Sequence, residues 1–394
     1  MPISEIVKKG IQRDAFLAKL ARDKAILALR YGSHKVYDLT GEYAEVEPPE
    51  QFNRELKNIL AEPRPGLHRY MENAGYIDTR TAVANYLKAE TGLNFSLAEV
   101  IMTSGASGAI NMAIKAVLNP NEEVILFAPY GYDYEAYVTN HGGVARIVPF
   151  TADFVPDLAV LEAALTPKTK VIIINSPNNP AGIVYSPEIL KKIANLILQR
   201  SQAFGTRIYI ISDDSYRKYY YGTTPCPWIL NYYPHTIIVG SYSKELSIPA
   251  ERIGFTAISP LCEESRVVVG GLIHANRTLG FVNAPALMQN VVRNLQGLLP
   301  DIASCRVKRD FIYSRLVQAG YSAVKPEGAY FLLVKSPIME DTTFVSELAK
   351  VRVLTLPGSL FGAPGYFRIS YCTGKEVLEG ALPGLQKALA KYPK

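Results

Sequence analysis

At 394 residues, with 48% hydrophobic and 20% charged side chains, the chain is long enough for two domains around a large buried core. Its 42 Lys and Arg against 36 Asp and Glu leave a charge of +6 with no dense basic run, which argues against nucleic acid, and no apolar run approaches membrane-spanning length. Four scattered cysteines (Cys226, Cys262, Cys305, Cys372) lack the spacing of a zinc site or a disulfide framework, and the N-terminus has no apolar leader, so a cytoplasmic setting is expected.

Residues 11–31 alternate apolar and charged positions at helical spacing, with Phe16, Leu17 and Leu20 on the expected buried face. Val36 to Gly41 then reads as a short strand ending in a glycine, which is either a plain turn residue or a point of close backbone approach to a ligand. Tyr70 precedes Asn73-Ala-Gly75 and a helical pattern over Thr79 to Ala89. From there strand and helix patterns repeat. Val100 to Thr103 runs into Ser104-Gly105-Ala106-Ser107-Gly108 and a helix over Ala109 to Leu118, a junction that leaves backbone N–H groups at the positive end of a helix dipole, ready for a phosphate.

Further apolar strands are predicted over residues 123–128, 144–150, 171–175, 207–212, 236–240 and 252–257, most of them separated by helical segments such as Ser186 to Gln199. Buried runs with helical connections predict an α/β fold with a largely parallel sheet covered on both faces, binding its ligand outside the carboxyl ends of the strands. The polar signatures fall there: Asn175-Ser-Pro-Asn178-Asn179-Pro180-Ala181-Gly182 after one strand, and Asp213-Asp214-Ser215-Tyr216 after another. The first can be turn chemistry and the second a helix cap or metal site. Past residue 290 a helical stretch, about Leu299 to Ala319, leads to predicted strands over 321–324, 326–334, 351–356 and 366–371, the last carrying Arg368. A helix over Lys375 to Lys391 closes this smaller α+β unit.

The sharpest stretch is Ser241-Tyr-Ser243-Lys244, with Arg252 eight residues on. A lysine near a second cation is biased toward the neutral amine that attacks an aldehyde, and Arg252 with the serine hydroxyls is what a phosphate requires. A nucleophilic lysine beside a phosphate site suggests pyridoxal phosphate.

Taken together and in order, Gly41, Tyr70, Ser104 to Gly108, Asn179-Pro-Ala-Gly182, Asp213-Asp-Ser-Tyr216, Ser241-Tyr-Ser-Lys244, Arg252 and Arg368 resemble the class I/II aminotransferases of fold type I, enzymes like aspartate aminotransferase. The resemblance implies a large cofactor-binding domain over 46–290, with a mostly parallel seven-stranded sheet, and a small domain built from 1–45 and 291–394. It implies that Lys244 holds the cofactor covalently and later shuttles a proton, that Asp213 faces the pyridine nitrogen, and that Asn179 and Tyr216 hydrogen-bond the ring oxygen. Gly105, Ala106, Ser107, Ser241, Ser243 and Arg252 would hold the phosphate, joined by Tyr70 from the neighbouring subunit of a homodimer. Arg368, helped by Gly41 and Asn179, would clamp the substrate carboxylate.

Three departures bear on the substrate side. Gly131 stands where the family carries a ring-stacking aromatic, so that Tyr132, one of its two flanking tyrosines, is expected to cover the ring. Ala181 replaces a threonine, and Gly41-Glu-Tyr-Ala44 replaces Gly-Glu-Pro-Asp. The expected reaction is exchange of an amino group between an amino acid and a 2-oxo acid, with a lyase or synthase on the same site as the alternative. A DNA-binding regulator with an aminotransferase-like sensor is disfavoured, because the forty residues before Gly41 read as a helix and a strand. Arg277 hints at acidic substrates, and Tyr130, Tyr132 and Tyr134 equally at aromatic ones.

Overall fold

The computed structural model describes residues 2–42 and 46–392, so Tyr43 and Ala44 of the Gly41 segment, and the boundary at residue 45, lie outside the described residues. Strands in chain order are β1 (Tyr37–Asp38), β2 (Val100–Thr103), β3 (Glu123–Phe127), β4 (Val144–Val148), β5 (Thr169–Asn175), β6 (Tyr209–Asp213), β7 (Thr236–Ser241), β8 (Gly254–Ile258), β9 (Phe331–Lys335), β10 (Val353–Leu354), β11 (Leu356–Pro357) and β12 (Tyr366–Ser370). Seven of them form one sheet in the order β2-β8-β7-β6-β5-β3-β4, parallel except for β8, which runs against both its neighbours.

The sheet's strands are apolar throughout because both faces are covered, and alternate side chains go to different cores. Val124, Leu126, Val171 and Ile173 pack with the helices Gly105–Val117 and Ser265–Thr278, while Ile125, Ile172 and Ile174 face Pro187–Phe204. Toward the β2 edge, Met102, Ile238 and Ala257 face Ile77–Thr91 and Ala286–Arg293.

The remaining strands make a second unit. β12 lies between β11 and β9, antiparallel to both, and β1 pairs in parallel with β10, joining the N-terminal segment to the C-terminal third of the chain. Helices Ile302–Gln318, Asp341–Lys350 and Lys375–Leu389 cover it through Ile312, Phe344, Leu348 and Leu385.

Several predicted boundaries move. The 36–41 strand shrinks to two paired residues, after which Asp38 turns back to accept from the Thr40 N–H and hydroxyl. The helix expected from Ala109 begins at Gly105, which puts Ala106 and Ser107 in its first turn. The strand expected from Arg252 begins at Gly254, because Arg252 itself takes a left-handed φ of 52°. The stretch 326–334 becomes extended only at Phe331: Glu327 and Gly328 donate their N–H groups to the Gly182 carbonyl instead, and Ala329 has φ 53°.

Candidate active site

Three adjacent parallel strands end in Asn175, Asp213 and Ser241, with Asn175 in register with Asp213 and Asp213 with Val239. Their carboxyl ends open into a cavity of about 230 Å³ lined also by Ala106, Ser107, Tyr132, Asn179, Tyr216, Ser243, Lys244 and Arg252. Asn175 ties two of its walls together, donating to the Asp213 carbonyl at 2.9 Å and accepting from the Asn179 N–H at 2.8 Å. This pinning residue had a sequence signal, a polar side chain closing a buried apolar strand.

Asp213 is held by three donors. One carboxylate oxygen accepts from the Ser215 N–H at 3.1 Å and its hydroxyl at 2.5 Å, and the other accepts from the Tyr134 hydroxyl at 2.6 Å. Burial first, and then the Asp213 charge, drive the Tyr134 phenol well above its usual range, so it stays a donor. The Tyr134 ring fills the space in front of Gly131, where an added Cβ would come within 3.2 Å of Cζ. Tyr132 also lines the cavity, its ring edge-on to Phe361 at 5.8 Å, whereas Tyr130 turns away and donates to Glu135. The neighbouring acid Asp214 pairs with Arg217 at 3.5 Å.

One end of the cavity is a cationic cradle. Gly105 opens the Gly105–Val117 helix with φ 73°, and a Cβ there would lie 2.8 Å from Arg252 Nη2. Arg252 is braced by donating from Nη1 to the Pro249 carbonyl at 2.8 Å. Ser241 caps the short Tyr242–Glu245 helix, accepting from the Ser243 N–H at 3.2 Å.

Lys244 follows directly. Burial pushes its amine below the usual lysine range; Arg368 and Arg252 push the same way and Glu42 and Asp213 oppose them. Its Nζ lies 5.6 Å from the centre of the Tyr216 ring and donates to the Glu42 carbonyl. Tyr216 is buried, its phenol raised well above the usual range chiefly by burial, and its hydroxyl lies 3.5 Å from Asn179 Nδ2.

Arg368, on the central strand β12, is fully buried rather than a surface residue. Its guanidinium carbon lies 4.5 Å from the Phe331 ring centre and 4.8 Å from that of Phe361. Nη2 donates to the Thr40 carbonyl at 2.8 Å, and Nη1 to Asn179 Oδ1 at 2.9 Å and to Glu42 Oε1 at 2.8 Å. The bond to Oδ1 orients the Asn179 amide so that its NH₂ faces Tyr216. Gly41 sits between two of the residues that touch Arg368, Thr40 and Glu42, and Glu42 lies in the Gly41-Glu-Tyr-Ala44 segment, to which sequence reasoning assigned no such contact. Tyr70 stands apart, 91% exposed, and Arg277 is exposed on the Ser265–Thr278 helix.

This donor set fits pyridoxal phosphate. A cation cradle that a Cβ at residue 105 would fill matches a phosphate, a buried acid faces the same cavity as the amine, and a phenol and an amide NH₂ line it as well.

Residues 36–382 match the family model for aminotransferase class I and II. A probable aspartate/prephenate aminotransferase of Thermus aquaticus is 32% identical over 383 residues, covering 94% of this chain and 96% of that protein. The crystal structure of an aminotransferase from Eubacterium rectale superposes with a TM-score of 0.95 at 32% identity, over 100% of both chains. That of an aspartate aminotransferase from Thermotoga maritima gives 0.87 at 27% identity, over 98% of this chain and 100% of that one.

Proposed function

Since the chain belongs to the class I and II aminotransferases and so moves an amino group between an amino acid and a 2-oxo acid, we propose that the cavity at the ends of β5, β6 and β7 is where it does so. The lyase and synthase alternative is set aside, because the relatives it matches across nearly their whole length are named aminotransferases. When bound, pyridoxal phosphate supplies an aldehyde that takes up the amino group and a ring that withdraws electrons from the substrate's α-carbon.

The chain's own residues do the rest. Arg252, Ser241, Ser243 and the first-turn amides around Gly105, Ala106 and Ser107 would hold the phosphate. Asp213, fixed by Ser215 and Tyr134, would keep a negative charge against the ring nitrogen's proton. Tyr216 and the Asn179 NH₂ would donate to the ring oxygen, and Tyr132 or Tyr134 would cover the ring. Lys244, its amine already biased toward neutrality, would take the proton from the α-carbon and return it on the far side of the exchange. Arg368 would bind the α-carboxylate, beside Gly41, in a sleeve of two phenylalanines that keeps water away.

The observation that carries the reading is the convergence of Lys244 with Asp213, Asn179, Tyr216 and Arg252 on one cavity. Incubating the protein with pyridoxal phosphate and an amino acid should bleach the visible absorption, and a 2-oxo acid should restore it. No response to any of a donor panel that includes aspartate and prephenate's amino counterpart would refute the reading.

A homodimer is supported by the exposed Tyr70 and by the first helix, Glu5–Tyr31, which buries only Leu20 and exposes Ile6, Val7, Ile11, Ile26 and Leu29. The β1–β10 pairing supports a small domain made of 1–45 with 291–394 beside a large one over 46–290. Four cysteines with no disulfide among the described residues support a reducing, cytoplasmic location. No described helix is long and apolar enough to cross a membrane.

A further inference from the structure

Arg368 is fully buried, and among the described residues Glu42 is the carboxylate paired with it. The same residue reaches the lysine: its backbone carbonyl accepts from Lys244 Nζ, and from the Tyr330 hydroxyl at 2.9 Å. One residue of the chain therefore engages the two groups that an incoming amino acid would use, the guanidinium and the amine. We propose that Glu42 is an internal competitor for the substrate's α-carboxylate at Arg368, and so sets the affinity for both amino-acid and 2-oxo-acid substrates. This rests on the reading of Arg368 as the carboxylate clamp.

Charge balance makes the competition unavoidable. Without substrate, a buried guanidinium with no counterion is strongly unfavourable, and Glu42 supplies the charge. Burial opposes ionisation of Glu42, but Arg368 and Lys244 outweigh it and hold its carboxyl below the usual range. With substrate bound, two carboxylates would face one guanidinium, and one must leave. Glu42 is the one that can swing, since its side chain is 36% exposed where it lines the cavity while that of Arg368 is fully enclosed. It also fits the clamp incompletely: it meets Nη1 through one oxygen, and Arg368 Nε has no hydrogen-bond partner among the described residues. Asp133, which lines the same cavity and is itself raised to about 6 by burial and by Glu42, adds a second acid that disfavours leaving both charges in place.

When a closed form dominates, apparent affinity is reduced by the fraction of open molecules, so a form capped nine times in ten weakens binding about tenfold. The test is calorimetric titration of the holoenzyme with propanoate and with succinate, carboxylates that carry no amino group to react. Glu42→Gln, which keeps the backbone contacts and removes the charge, is expected to bind both roughly tenfold more tightly, with KM for amino donors lowered by a similar factor. Glu42→Ala should do the same, while Arg368→Gln should lose carboxylate binding in either background. If both Glu42 variants bind as the unaltered protein does and Arg368→Gln still loses binding, Glu42 does not compete and the proposal is overturned. If Arg368→Gln binds carboxylates normally, the clamp assignment falls and this proposal with it.

Discussion

Replacing Gly105 with alanine tests the phosphate cradle from its backbone outward. Residue 105 has φ 73°, and forcing an L-residue into that region costs about 1–2 kcal/mol. The new methyl would also meet Arg252 Nη2 at 2.8 Å, against an ordinary contact of 3.4 Å or more, so the guanidinium must withdraw. Withdrawal would weaken one charge-assisted hydrogen bond to the phosphate, worth about 1.5–3 kcal/mol, or roughly 10- to 100-fold in cofactor affinity. Gly108 of the same turn is the internal control. It lies within the helix, and a Cβ there would find Phe281 at 3.6 Å, an ordinary contact, so alanine should be neutral or stabilising by up to about 1 kcal/mol. Denaturant unfolding of the cofactor-free proteins separates the stability cost, and equilibrium dialysis against pyridoxal phosphate measures the affinity. Unchanged affinity in Gly105→Ala, or equal losses in both variants, would refute the cradle.

Lys244→Ala should bind the cofactor phosphate but slow amino-group exchange by ~10²–10⁴-fold in single-turnover absorption measurements, the usual worth of a positioned proton carrier. Arg368→Lys loses the planar fork that reaches Thr40, Asn179 and an incoming carboxylate together, so kcat/KM should fall ~10- to 100-fold in steady-state assays with any amino donor. Asp214, raised to about 7 by burial against the pull of Arg217, keeps its proton in the folded state where the unfolded chain has lost it, between pH about 4 and about 7. Its contribution to stability therefore declines as pH rises through that window, and Asp214→Asn should gain on the unaltered protein by a few kcal/mol in order of magnitude between pH 5 and pH 8. Urea unfolding at the two pH values gives the comparison, and a constant difference would contradict the assignment.

The architecture, and the gathering of polar residues at the strand ends, were legible because they follow local rules. Apolar strands buried on both faces announce a covered sheet, and Ser241 to Lys244, Asp213 and Asn179 come directly after such strands. What stayed hidden depends on contacts between distant segments. Glu42 was visible only as part of the Gly41-Glu-Tyr-Ala44 segment, and its contact with Arg368 exists only because β12 brings the two together. Tyr134 was one of three tyrosines until the bare Cα of Gly131 gave its ring room to reach Asp213. The glycine amid tyrosines was the available clue. The burial of Arg368 was equally unreadable, since an arginine within an apolar strand looks the same whether it faces solvent or two phenylalanines.

The guanidinium proposed to bind the carboxylate common to every substrate is mounted on a strand hydrogen-bonded along both sides, where the backbone has least freedom to adjust. Tyr132 and Asp133, which line the same cavity, come from the turn ahead of the helix Tyr134–Asn140. On that proposal, retuning this enzyme toward a new amino donor is a task for the turn at 131–133, which can be rebuilt while the anchor stays put.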